Sequence, residues 1–345
     1  MDLVSNRSVS SRLMSARQVD LALGVLIAVA VLSGLTSWAA GDRWNGWFAL
    51  IHGTAGLALL LLLPAKLRGS VRTGLRRGRS SRWFSLAFGL IVVGAVTLGL
   101  LHSTGLWFGA GPWTALWTHE LLGFSSIPLL AWHWLSRPAR PRLIDVDRRG
   151  VLGFGLAGVV ALGVHIIQRP LATAVGLAGG RRRATGSHEL ASHNPAGMPS
   201  VIWLNDRRPA STEAATWPLS IGGRRVTIDE LRAMAEPVTA ILDCTGGWWS
   251  EQSWDAVPLS ALLPESSGRS FVVTSHTGYR RRFPMAAAGS LHLAVGYGGV
   301  PLRPGHGAPV RLIVPGRRGP EWVKWVTDVT IDDRPWWLQP PLPLS

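Results

Sequence analysis

A single cysteine, Cys244, occurs in 345 residues, so no disulfide can form within the chain and cysteine usage says nothing about the compartment. Acidic side chains are also few, 20 against 35 Lys and Arg. The resulting net charge of +15 raises nucleic acid as a partner. It is set aside because the arginines mostly flank apolar runs and no aromatic-basic motif accompanies them. Glu120 is the only acidic residue well inside an apolar run, whereas a small-molecule or ion transporter would need intramembrane charge. Apolar residues, by contrast, are abundant at 47%, and the mean hydropathy of +0.21 is high for a soluble enzyme.

The apolar residues concentrate in five runs in the first half, about 19–40, 46–65, 83–103, 113–135 and 151–168. Each is near the ~20 residues a helix needs to cross hydrocarbon, which predicts a multi-pass all-α bundle over 19–168 after a cytoplasmic lead at 1–18. The segments 66–82 and 136–149 hold twelve Lys or Arg, while 41–45 holds one and 104–112 none. Basic loops stay inside, so five spans place everything after 168 on the outer side of a cytoplasmic membrane. Tryptophans at 38, 44, 47, 107 and 113 then mark the outer interface and those at 83 and 134 the inner one. Asp147-Arg148-Arg149-Gly150 before the fifth run reads either as an internal twin-arginine export signal or as an ordinary basic flank.

Residues 169–197 read as a polar Gly/Arg/Ser linker and 198–345 as a mixed α+β domain. Strands are predicted at 217–222, 225–228, 269–275, 291–297, 309–314 and 322–331, and helices near 228–235 and 256–263. Val238 to Cys244 alternates apolar with small or polar residues and runs into Thr245-Gly246-Gly247, which places the thiol at a strand end beside a turn. Taken alone, a lone cysteine is as well explained as a small buried hydrophobe.

The surrounding residues supply a resemblance. Cys244-Thr-Gly-Gly, followed by Trp254 and Val257-Pro-Leu-x-x-Leu-Leu, resembles the cofactor loop of the sulfite oxidase family of molybdopterin enzymes. A second stretch, Gly298 to Trp325, resembles that family's His-Gly-x-Pro-x-Arg segment and the Val-Lys-Trp that follows it. The resemblance covers roughly 195–340. It implies Cys244 as a thiolate ligand of molybdenum, a role suited to a soft sulfur donor. It further implies His306, Arg311 and Lys324, with Trp322 and Val323 beside them, as contacts to the pterin and its phosphate. Asn205 is implied as an earlier cofactor contact, Tyr279 as the tyrosine facing substrate, and a molybdopterin without a nucleotide. The family's arginine soon after the cysteine is replaced here by Trp248, Trp249, Ser250 and Glu251, which puts sulfite as substrate in doubt.

Five histidines lie in or beside the apolar runs: His52, His102, His119, His133 and His165. Each reads as a helix-packing hydrogen-bonder or as a ligand. His52 and His119 fall at matching depth, about two turns from the outer ends of their runs, and suit the two axial positions of one haem b. His119 and His133, fourteen residues apart, resemble the paired ligands of a di-haem cytochrome b bundle, with His102 and His133 as further candidates. Lys66 stands where the inner partner of His133 would be needed. His165 reads as a helix cap.

The expectation is a membrane-anchored molybdopterin oxidoreductase that transfers an oxygen atom to or from a small-molecule substrate outside the cytoplasm. Electrons would pass through the membrane haem to or from a quinone or a redox partner protein. The alternatives are a haem-free anchor carrying a sulfoxide reductase-like enzyme with a separate electron partner, and a metal-free binding module.

Overall fold

A computed structural model of the chain describes residues 14–39, 45–71, 76, 82–110, 113–136, 142, 147–201, 207–264 and 268–340. The chain divides into two compact units, 1–35 with 47–180 and 36–46 with 181–345.

The first unit is built from five long helices: α1 (Ala16–Ala39), α2 (Asn45–Lys66), α3 (Arg82–Thr104), α4 (Ala115–Ser136) and α5 (Arg148–Ala174). Ala16–Trp38, Gly46–Lys66, Arg82–Thr104 and Arg148–Ala174 are long and apolar enough to cross a membrane. The fourth expected run differs. It folds as the 22-residue α4 but is not among these four, because His119, Glu120, His133 and three serines dilute its leucines. Much of the basic loops and all of residues 1–13, on which the orientation reading rests, lie outside the described residues.

Helix α5 starts where Asp147 caps it, its carboxylate accepting from Gly150 N at 2.6 Å and from Gln18 Nε2 at 2.8 Å. It ends at Ala174, so residues 169–174, expected in the linker, are helical. Val151, Leu152, Leu156, Val159, Val164, Ile166 and Ile167 stand exposed along it, as side chains facing hydrocarbon do.

The second unit is the mixed sheet domain expected. We number its strands β1 (His188–Glu189), β2 (Ser220–Ile221), β3 (Arg224–Arg225), β4 (Glu236–Cys244), β5 (Trp248–Pro258), β6 (Ser270–Ser275), β7 (Arg280–Pro284), β8 (His292–Tyr297), β9 (Val300–Pro301), β10 (Arg311–Ile313) and β11 (Val326–Asp332). One sheet runs β9-β8-β5-β1, with β4 on β5 and β10 on β8; the other runs β3-β2-β11-β6-β7. Helix α6 (Ile228–Met234) forms where predicted, under a capping box in which Thr227 and Glu230 satisfy each other's backbone N–H.

Two expectations fail here. The helix read over 256–263 is the end of β5 followed by a short 3-10 turn at Leu259–Ala261. Inward Ser250, Gln252 and Trp254 alternate with outward Trp249, Glu251 and Ser253, and that period-two burial commits the segment to a ladder through Pro258. Residues 181–197 do not behave as a linker either. His188 N and Leu190 N donate to Gly247 O and Trp249 O at 2.9 and 2.8 Å, which lays this segment parallel to β5.

Candidate active site

The β4–β5 hairpin positions the thiol. Residues 245–247 form its turn, with Gly247 at φ +86°, a conformation that favours glycine. Cys244 and Trp248 are then direct cross-strand partners and project from the same face. The Cys244 side chain is buried, and Sγ accepts from Gly246 N at 3.4 Å. Burial pushes the thiol pKa up, while the Gly246 N–H and the charges of Lys324 and Arg318 pull it partly back. A buried, unpaired sulfur beside two cations is suited to a soft metal, whose binding would displace the proton.

The preceding residue, Asp243, points the other way into a polar clasp that the sequence reading missed. Asp243 accepts from Ser187 Oγ and Thr185 Oγ1, both at 2.7 Å, and from Arg183 Nε at 3.1 Å. Arg318 lies 3.7 Å from the same carboxylate and donates through Nη2 to Cys244 O at 3.0 Å. These bonds pin the backbone carrying the thiol from behind. The signal lay in Arg183, Thr185 and Ser187, discounted as linker composition.

Arg311 sits at the start of β10 with 1% exposure. Its guanidinium lies over the Trp254 and Trp322 rings, 5.2 and 5.5 Å from their centroids, the two rings being in contact with each other at 5.6 Å, and Nη1 donates to His306 O at 3.0 Å. It forms no ion pair with a carboxylate among the described residues, and Nε has no hydrogen-bond partner. Burial lowers its pKa to about 10, which still leaves it charged at neutral pH. An uncompensated buried cation is costly unless an anion arrives, so the cradle fits the phosphate implied by the resemblance.

The other expected contacts surround it. Lys324 Nζ donates to Val201 O and Gly305 O, both at 2.6 Å. His306 is held at both ring nitrogens: Nε2 donates to Pro199 O at 3.2 Å, and Nδ1 accepts from Tyr297 hydroxyl at 2.7 Å. It reaches a cofactor only by releasing one of them. Trp322 donates to Arg317 O at 3.0 Å, and Val323 is buried with its carbonyl accepting from Leu312 N. Tyr279 is buried, its hydroxyl on Pro320 O at 2.5 Å, one residue from Gly319, which packs against Cys244 Cα. Asn205 lies outside the described residues. Tyr297 and Trp254, stacked at 5.5 Å, were not singled out as cofactor contacts from sequence.

In the helical unit His52 and His119 do come together, their rings 5.6 Å apart and nearly perpendicular. Nδ1 of each is engaged by a backbone carbonyl, Ala30 O at 2.8 Å and Ala95 O at 2.7 Å, which leaves Nε2 of each for a further ligand. Gly34 and Gly99 pack where a Cβ would stand 3.0 and 3.1 Å from these rings. Two imidazoles, each with Nδ1 anchored and Nε2 left over, are a donor set that would suit a haem iron. His165 does not cap a helix end, since α5 continues to Ala174; it lies against Gly53, next to His52. His133 packs against Phe88 and Trp132, and His102 against Phe108. Lys66 is engaged with Asp20 at 2.6 Å.

Comparison with known proteins agrees with the sheet unit. Residues 206–337 match the family model described as the oxidoreductase molybdopterin binding domain. Among solved structures, the crystal structure of the sulfane dehydrogenase SoxCD from Paracoccus pantotrophus aligns at 28% identity over 36% of this chain and 40% of that chain, with a TM-score of 0.34. The match thus spans well under half of that chain's length. No curated protein matches the chain.

Proposed function

From a chain whose residues 206–337 form an oxidoreductase molybdopterin-binding domain, we propose a membrane-anchored enzyme that exchanges one oxygen atom with a small extracytoplasmic substrate. The observation that carries this reading is the pairing, on one side of β5, of a buried unpaired thiol with a buried guanidinium that has no carboxylate partner among the described residues. Cys244 would hold molybdenum, Arg311 and Lys324 would hold the pterin phosphate, and Trp254 and Trp322 would keep water from the guanidinium. The metal, when bound, supplies two-electron oxygen-atom chemistry.

The balance is that of a sulfoxide reductase or of its reverse. For reduction, the S–O bond breaks, two electrons and two protons enter, and the oxygen leaves as water; for oxidation, water supplies the oxygen and the electrons leave. His52 and His119 would hold a haem b that passes those electrons singly between the site and a quinone or a redox partner protein. Support for the haem is the pair of imidazoles with Nδ1 anchored and Nε2 free. Support for anchoring is the four long apolar helices. The outer location of the sheet unit follows from the basic loops, with α4 counted as a span.

Metal and pterin analysis of the purified full-length protein tests the centre of this proposal. About one molybdenum and one pterin without nucleotide per chain is the expected result, as one thiolate ligand implies. Protein free of both after production in cofactor-competent cells would leave a metal-free binding module.

A further inference from the structure

Among its described residues the sheet unit buries five tryptophans: Trp217, Trp248, Trp254, Trp322 and Trp325. Four spend their indole N–H on a backbone carbonyl. Trp217 donates to Val326 O at 2.7 Å, Trp254 to Ala240 O at 3.0 Å, Trp322 to Arg317 O at 3.0 Å and Trp325 to Pro304 O at 2.8 Å. Trp248, 6% exposed, has no partner for Nε1. The half-buried Trp249 also leaves Nε1 without a partner, but it lies on the opposite face of β5 with Arg183 over its ring, away from the thiol. A buried N–H left unsatisfied is costly, and native folds seldom tolerate one without a use for it.

The orphan donor is beside the thiol. A Cβ on Gly246 would stand 3.5 Å from Trp248 Nε1 and 3.6 Å from Cys244 Sγ, so the missing side chain leaves a small space bordered by both atoms. Gly246 is not among the glycines at positive φ, and an added Cβ would meet Trp248 and Cys244 only at ordinary contact distances, so neither backbone nor packing demands glycine there and an alanine would simply fill the space.

We propose that the Trp248 indole N–H is the donor that holds the oxygen of a neutral oxo substrate, of the sulfoxide class, beside the Cys244 sulfur. This rests on the reading of Cys244 as the metal's sulfur ligand. Neutrality follows from what else is at hand. The residues after the turn, Trp248, Trp249, Ser250 and Glu251, bring no cation. Arg318 is matched by Asp243 and tied to Cys244 O, although its Nε also lacks a partner. Lys324 is tied to Val201 O and Gly305 O. An indole N–H aligns a sulfoxide oxygen without the opposite charge that an anion such as sulfite would require.

The test uses molybdenum-loaded full-length protein and two variants, Trp248→Phe, which keeps the ring and removes the donor, and Gly246→Ala, which keeps the donor and fills the space. Molybdenum content, calorimetric affinity for methionine sulfoxide and for sulfite, and separate KM and kcat values for methionine sulfoxide are measured. Molybdenum content should be unchanged. Kd and KM for methionine sulfoxide should rise about five- to tenfold in Trp248→Phe, the loss of one neutral hydrogen bond, with kcat changing less. Gly246→Ala should weaken the same ligand, and it carries the test alone if Trp248→Phe fails to fold or load. Unchanged affinity for methionine sulfoxide in the loaded variants, or a wild type that binds sulfite and not the sulfoxide, overturns the inference alone. Wild-type protein without molybdenum overturns the reading of Cys244 and the inference with it.

Discussion

Cys244 and the His52–His119 pair are held by different means. The thiol is fixed by register: nine consecutive cross-strand pairs from Glu236↔Ala256 to Cys244↔Trp248 leave it one position, and the Asp243 clasp holds the same backbone from behind. Each imidazole hangs on one hydrogen bond to a helix carbonyl, within a bundle whose core is smaller and rich in alanine. A slip of the hairpin by one residue would turn Cys244 to the opposite face, whereas a helix can rotate a few degrees and keep its fold. Sites on ladders are therefore specified together with the fold, and sites between helices can be lost without it.

The largest expected effect breaks the first half of this comparison. Cys244→Ser should abolish turnover and leave the melting temperature almost unchanged, because the hydroxyl is nearly isosteric but is a hard ligand in place of a soft one. Activity assays and circular dichroism on the purified variant decide it; full activity removes Cys244 from the site. In the helical half, His52→Ala and His119→Ala should each eliminate a six-coordinate haem spectrum while the membrane-inserted amount stays the same. His133→Ala should keep the spectrum, since His133 packs on Phe88 and Trp132.

The same contrast explains how much was legible beforehand. Strands at 238–244, 269–275 and 291–297 carry short apolar runs bounded by turn residues, and the helix near 228–235 carries a capping box; these are local signals, and the structure has the elements. The depth match of His52 and His119 was readable because helix rise is fixed. The strand Trp248–Pro258 was not predicted, and its end was read as a helix, because its inward positions include Ser250 and Gln252, polar residues that both donate to the Ala191 carbonyl. Nothing in the local sequence announces that carbonyl. The partnership of Asp243 with Arg318 joins residues far apart in the chain, and the orphan N–H of Trp248 on the thiol's face of β5 is visible only once the strand pairing is known.

Arg311 tests whether register alone makes the site. Arg311→Met keeps bulk over the two indoles and removes the charge, so the ladder should survive while cofactor retention falls. Loss of one charge-assisted contact is worth up to ~3 kcal/mol, roughly a hundredfold in affinity. The measurement is molybdenum content after extended dialysis beside a thermal melt. Normal retention would show that Lys324 and the backbone hold the anion without it.

His306 offers the smallest effect and the one that depends on pH. Burial, with Arg311 and Lys324 nearby, lowers its pKa from 6.5 to about 4, so in the folded protein the ring stays neutral where the unfolded chain would already bind a proton. Between those values the unfolded state holds more protons than the native state, and stability must therefore rise with pH and fall as the medium is acidified from 6.5 toward 4. The neutral form is compatible with both hydrogen bonds, Nε2–H donating to Pro199 O and Nδ1 accepting from the Tyr297 hydroxyl. In His306→Gln the amide can replace one of the two bonds but does not titrate. Its melting temperature should start lower at neutral pH and lose less than that of the wild type between pH 6.5 and pH 4, compared at matched ionic strength. Parallel acid limbs for the two proteins would mean that the pH dependence arises from other groups.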